Sequence, residues 1–175
     1  LVQEFDVIER SDARAVLKLF GKDSGATLSC VIDIGYDGLM KFDLDLHGNN
    51  NSHLEKLSID IPLSKEVATL LLGAPDDQER GANKPWPSWS GTNSGLIPDN
   101  KISGPFIPNL WIGNDDMGLV WYCESDENWA VQSPSKAIEI IPENDTVLWR
   151  FNVVDVPISL KETWKFTFGL QATPV

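Results

Sequence analysis

Along most of this chain apolar and polar side chains alternate with a period of two, and no other feature narrows the fold as far. Met40, Phe42, Leu44 and Leu46 alternate with Lys41, Asp43 and Asp45, and Leu57, Ile59, Ile61 and Leu63 alternate with Ser58, Asp60 and Pro62. The same rhythm runs through Val147, Trp149, Phe151 and Val153, and again through Trp164, Phe166, Phe168 and Leu170. Successive side chains of a strand point to opposite faces, so each stretch reads as a strand with one face in a core and one in water.

Six further strands are predicted at Glu4–Ile8, Ala15–Phe20, Thr27–Ile34, Asn109–Ile112, Leu119–Glu124 and Ala137–Ile141. Turn chemistry separates the strands: Gly21 to Gly25, Tyr36-Asp37-Gly38, Gly48 to Asn51, and Pro142 to Asp145. Asp-Gly and Asn-rich clusters tolerate the positive φ of tight hairpins. About ten strands joined by short polar turns give an all-β fold, an antiparallel β-sandwich. Ser64 is placed to cap a short helix running to Leu72 with Gly73 as its stop, although a strand fits the same residues nearly as well. From 73 to 105 the pattern disappears into a Pro-, Gly- and Asn-rich loop that carries Trp86 and Trp89. Loops of this length are functional or poorly ordered.

At 175 residues the chain is expected to form one domain, residues 1–175, with an ordinary hydrophobic core. The net charge of −12, from 26 acidic against 14 basic residues, disfavours nucleic acids and anionic membranes, whose phosphates would be repelled. No apolar run is long enough to span a bilayer as a helix. Leu1 in place of an initiator Met is read as a start inside a longer protein.

Catalytic readings find little support. Cys30 and Cys123 both fall on inward alternations and are expected to be buried free thiols, and no zinc-type spacing accompanies them. Asp76-Asp77, Asp115-Asp116 and Asp126-Glu127 are sequence neighbours, which on a strand face opposite ways and in a turn are solvated. His47 and His53 flank the Asn-rich turn. Sugar mutarotation would need a His pair with a carboxylate in a concave sheet, whereas a hairpin loop leaves both in solvent. There is no Gly-x-Ser-x-Gly elbow, phosphate-binding loop or EF-hand spacing, so no metal or cofactor is expected.

The segment Phe106 to Trp129, FIPNLWIGNDDMGLVWYCESDENW, reads as a hairpin followed by an acidic exit. Its Pro108, Trp111, Gly113, Asn114, Asp115, Gly118, Leu119, Trp121, Tyr122, Glu124, Ser125, Asp126 and Trp129 match a pattern that resembles the N-terminal β-sandwich domain of glycoside hydrolase family 123 and its relatives. The ending Phe168 to Val175 is similar to the join after which that family's catalytic (β/α)8 barrel begins.

The resemblance implies a non-catalytic accessory domain of a secreted or periplasmic hydrolase acting on β-linked N-acetylgalactosamine. It would pack on a barrel of the same chain beyond residue 175, where the catalytic carboxylates would lie. The alternative is an independent carbohydrate-binding module that stacks loop tryptophans on sugar rings. The candidate sugar-binding or interdomain residues are Trp86, Trp89, Trp111, Asn114, Asp115, Trp121, Glu124, Asp126 and Trp129.

Overall fold

The computed structural model describes residues 2–23, 26–48, 52–74, 94–160 and 163–174. Its strands are β1 (Val2–Arg10), β2 (Arg14–Asp23), β3 (Ala26–Gly35), β4 (Leu39–Gly48), β5 (His53–Leu54), β6 (Leu57–Ser64), β7 (Leu70–Ala74) and β8 (Ser94–Leu96). They continue with β9 (Ile102–Gly104), β10 (Asn109–Gly113), β11 (Gly118–Tyr122), β12 (Ile138–Pro142), β13 (Thr146–Val154), β14 (Ile158–Ser159) and β15 (Trp164–Thr173).

The strands form a nine-stranded sheet in the order β1-β2-β3-β4-β15-β11-β10-β7-β8, a four-stranded sheet β6-β13-β12-β9, and the small pair β14-β5. The pairings within these sheets are antiparallel, as expected for strands linked by short turns. Every strand predicted from alternation is present. β15 occupies the middle of the large sheet, paired with β4 through Trp164–Gln171 and with β11 through Gly169–Thr173.

The helix expected over 64–72 is replaced by one turn and a strand. Val67 N and Ala68 N both donate to Ser64 O, and Glu66 N donates to Ser64 Oγ, so the capping turn does form. It does not propagate, because Thr69 N donates to Gly113 O and β7 then pairs with β10 from Leu70 to Ala74. The ladder satisfies the backbone groups that a helix would have used, and it places Leu71 in the core. Two short strands, β8 and β9, also lie inside the segment read as loop.

Register decides which side chains meet. Phe166 lies opposite Leu44, Phe168 opposite Phe42 and Leu170 opposite Met40, while Trp121 lies opposite Leu170 on the other side of β15. That inner face packs on Ile138, Ile140, Val147, Trp149, Phe151 and Val153 of the small sheet. Trp121 bridges the layers: its ring stacks on Phe151 with centroids 3.7 Å apart and on Phe168 at 4.8 Å. Trp149 and Phe151 complete the centre, 5.1 Å apart.

On the outer faces, cross-strand ion pairs replace apolar contacts. Arg14 grips Asp33 through two bonds of 2.7 and 2.6 Å, and Arg150 grips Asp60 at 2.8 and 2.7 Å. Arg150 thereby holds the Asp60 carboxyl below its usual range. Such surface pairs fix register more than they add stability.

The hydrophobic cluster reaches Met40, Phe42 and Leu44 of β4 and stops there. The inner faces of β1, β2 and β3 continue the same apolar surface beyond it. Phe5, Leu19, Cys30 and Leu44 form one cross-strand row, and Val7, Leu17, Ile32 and Phe42 form the next. Phe5 is 66% exposed and Val7 55% exposed, so this overhang ends in water.

Trp121→Ala is expected to cost about 3–5 kcal/mol, the usual loss for a buried Trp. Tyr36→Ala, at a side chain that is 86% exposed, is expected to stay within about 0.5 kcal/mol of the parent. Equilibrium denaturant titrations of the two variants measure both.

Candidate functional site

The hairpin β10–β11 shows what its motif residues do. Trp111 points away from the core, on the outer face of the large sheet. Its indole lies over both Gly113 and Gly118, where any Cβ would fall inside the ring. Its Nε1–H donates to Thr173 Oγ1 at 3.0 Å, tying the hairpin to β15. Asn114 holds the turn: its Oδ1 accepts from Asp116 N and Met117 N, both at 2.9 Å, and its Nδ2 donates to Glu66 O at 3.1 Å. Trp121 is 0% exposed and has no face left for a ligand or another domain. Tyr122 lies over Gly169 in the same way that Trp111 covers its glycines. A Gly beneath an aromatic ring is a compact way to pin neighbouring strands.

The remaining candidates separate. Trp129 is partly buried, edge-on to Phe106 and Phe166 at 5.3 and 5.7 Å, so it closes the end of the core. Asp115, Glu124 and Asp126 are exposed. Trp86 and Trp89 lie outside the described residues. The seven described candidates do not form one constellation: Trp111 and Asn114 sit on the outer face and at the turn with Asp115, Trp121 in the core, and Glu124 to Trp129 beyond the far end of β11.

What the far end of β11 does form is a groove. Pairing between β11 and β15 ends at Tyr122 and Gly169, while β15 stays paired with β4 as far as Trp164. The seam opens where the chain turns away at Cys123. The resulting groove has a volume of about 470 Å³. Lys41, Tyr122 and Lys165 line its sheet side, Glu124, Glu127 and Asn128 its loop side, and Phe166 and Phe168 lie at the seam. Asn128 takes a left-handed conformation, φ 70°, as Asn tolerates. Lys41, Lys165 and Thr167 carried no sequence signal, because only the β4–β15–β11 pairing brings them beside Glu124.

Neither cysteine is poised as a nucleophile. Cys30 and Cys123 are buried and free. They stand on β3 and at the end of β11, with β4 and β15 between them. Three strand spacings of about 4.8 Å separate them by about 14 Å, twice the limit of about 7 Å for a disulfide. Burial pushes both thiols up to about 11. Cys123 Sγ donates to Ser125 O at 3.2 Å and to Thr167 O at 3.3 Å, so this thiol acts as a clasp across the seam.

His47 Nδ1 lies 2.9 Å from Thr163 Oγ1 and His53 Nδ1 lies 3.5 Å from Ser159 Oγ. Each thus meets a hydroxyl group. Glu139, on the outer face of the small sheet, is desolvated, but the Lys101 ammonium 2.5 Å away and the Asn152 amide hold its carboxyl below the usual range. Among the described residues no group of three His, Cys, Asp or Glu side chains is arranged to hold a metal ion, and no helix is long and apolar enough to cross a membrane.

Because the folded thiols keep their protons to about 11, while an unfolded thiol ionises near about 8.5, the native state binds more protons between those values. The stability that this protonation confers is complete below about pH 8.5 and is lost as pH rises towards the folded value. Iodoacetamide at pH 8 is expected to leave both cysteines of the folded chain unmodified over a time that alkylates both in denaturant, as intact-mass analysis reports.

Two solved structures share the architecture. An Escherichia coli K12 protein described as a "putative aldose 1-epimerase" aligns with a TM-score of 0.60 at 10% identity, covering 99% of this chain and 69% of that one. Galactose 1-epimerase from Lactobacillus acidophilus NCFM aligns with a TM-score of 0.55 at 10% identity, covering 97% of this chain and 65% of its own. At that identity the likeness is one of fold. No curated protein matches the chain. A family model does match, over residues 2–132, a span that includes both the β1–β4 meander and the whole Trp111 hairpin. The chain therefore belongs to the family described as "Glycoside hydrolase 123, third domain".

Proposed function

We propose that this chain is a non-catalytic accessory domain of a glycoside-hydrolase-like protein and that it docks on another domain of the same polypeptide. A third domain presupposes others beside it. The observation that carries the docking reading is the overhang. Strands β1 to β3 extend the apolar inner face of the large sheet past the last residue that the small sheet covers, leaving Phe5 and Val7 mostly in water. Antiparallel sheets tolerate water on one face, but that face is normally polar. The opposite face carries the charged groups, Lys18 together with the Arg14–Asp33 pair, interleaved with Val16, Phe20 and Val31. A contiguous exposed apolar patch of this kind marks an interaction surface.

The chemistry of the described residues supports the non-catalytic part. The inner face of β2 and β3 offers Leu17, Leu19, Leu28 and Ile32 rather than acids or histidines. A sugar epimerase or hydrolase needs a placed acid–base pair within hydrogen-bond reach of its substrate. The catalytic groups of the parent would then reside in a neighbouring domain, a (β/α)8 barrel by the resemblance of the hairpin motif. This chain would act as a rigid buttress for that domain.

The test compares Phe5→Ser/Val7→Ser in the isolated chain and in the multidomain parent. In isolation the double variant is expected to keep its thermal midpoint and to bind less of a hydrophobic dye. In the parent it is expected to lower the midpoint, because the docked face is disrupted. Equal behaviour in both settings contradicts docking through the overhang, and turnover of a chromogenic N-acetylgalactosaminide by the isolated chain contradicts the non-catalytic reading.

A further inference from the structure

The geometry points to a subsite for a neutral saccharide in the groove between β11 and β15. Such a subsite presupposes the carbohydrate-processing parent proposed above but not the docking face, which lies at the β1 edge and on the inner face of the large sheet, whereas the groove lies at its middle on the outer side. The groove volume of about 470 Å³ falls in the range of small-molecule sites, about 300–1,000 Å³.

Its walls differ in hydrogen-bonding character. Glu124 and Glu127 on the loop side present acceptors, while Lys41 and Lys165 on the sheet side present donors; Ser125 and Asn128 can do either, and the Thr167 hydroxyl, which donates to Asp43 Oδ1 at 2.8 Å, can accept. A sugar hydroxyl donates and accepts at once, so a row of hydroxyls can bridge two such walls. Tyr122, partly exposed on the outer face, supplies apolar surface for the C–H face of a ring, with Phe166 and Phe168 buried beneath the seam.

Charge narrows the ligand class. Lys41 Nζ is already 2.9 Å from Asp43, and Lys165 Nζ is 3.7 Å from Asp45. The sheet-side ammonium groups therefore each have a carboxylate partner, and an anion would also face Glu124 and Glu127, which form no ion pair among the described residues, in a chain of net charge −12. A divalent cation lacks the ligand cluster it needs among the described residues. A neutral, hydroxyl-rich molecule meets neither objection.

The groove is also built to hold its shape. Tyr122 is seated on Gly169, Cys123 Sγ donates to Thr167 O across the seam, and the Trp129 N–H donates to Asp126 O at 2.9 Å, which closes the loop wall. A rigid groove loses less entropy on binding than a mobile one.

The experiment titrates the 175-residue chain with methyl β-galactoside and with its N-acetylamino counterpart, read by amide chemical shifts. Sodium acetate and glycine serve as charged controls. Saturable shifts are expected at Tyr122, Glu124–Asn128 and Lys165–Phe168 with at least one of the two glycosides. Glu124 and Glu127 are exposed, so Glu124→Gln/Glu127→Gln should fold like the parent, with a matching circular dichroism spectrum and thermal midpoint. It should bind about tenfold or more weakly, the effect of losing one charged hydrogen bond. Phe5→Ser/Val7→Ser should bind as the parent does, which separates this site from the docking face. Absence of saturation with both glycosides, shifts confined to another surface, undiminished binding by the glutamine variant, or equal occupancy by acetate or glycine would each overturn the subsite.

Discussion

The contact between Trp121 and Phe151 is the one on which the rest of the structure depends. Two sheets pack about 10 Å apart only if large side chains interdigitate between them, and these rings meet at 3.7 Å with Phe168 on the far side of the indole. Trp121 belongs to β11 and Phe151 to β13, so the contact joins the large sheet to the small one. It also fixes β15, because Leu170 is the direct partner of Trp121 and Phe168 stacks on Phe42 of β4. From that anchor follow the central place of the C-terminal strand and the seam beside it, where β11 leaves β15 at Cys123.

Much of this was legible in the sequence because side-chain alternation is a direct image of the pleat. Met40 to Leu46 and Trp164 to Leu170 alternate alike, and the structure pairs them residue for residue. The Asp37-Gly38 turn closes as its composition demands, with Gly38 at φ 79° and Leu39 N donating to Asp37 Oδ1. Cys30 and Cys123 are inward and free, as their alternation implied. Local chemistry misled only where a distant partner competed. Ser64 begins a helical turn, but the edge of β10 captures Leu70 to Ala74 instead.

Alternation states which face a residue is on and says nothing about whether that face is covered. Phe5 and Val7 share the inner face with Phe166 and Phe168, yet the first pair is mostly in water and the second pair is buried. Coverage depends on how many strands lie in the opposing layer, a long-range property absent from local pattern. The groove was hidden for the same reason, since Lys41, Glu124 and Lys165 belong to three segments that meet only through sheet order. The motif that carries the family resemblance, by contrast, proves largely architectural: Trp111 covers Gly113 and Gly118, Asn114 holds the turn, and Trp121 fills the core.

The whole therefore reads as a two-layer sandwich whose larger sheet outruns its partner among the described residues, and the proposed docking would cover that overhang. Native-state hydrogen exchange of the isolated chain and of the multidomain parent tests that claim most directly. In the isolated chain, amides of β2 and β3 are expected to open at clearly lower free energy than those of β11 and β13, and in the parent the difference should shrink. Equal protection of β2, β3 and β13 in the isolated chain, or no gain in the parent, would contradict the account.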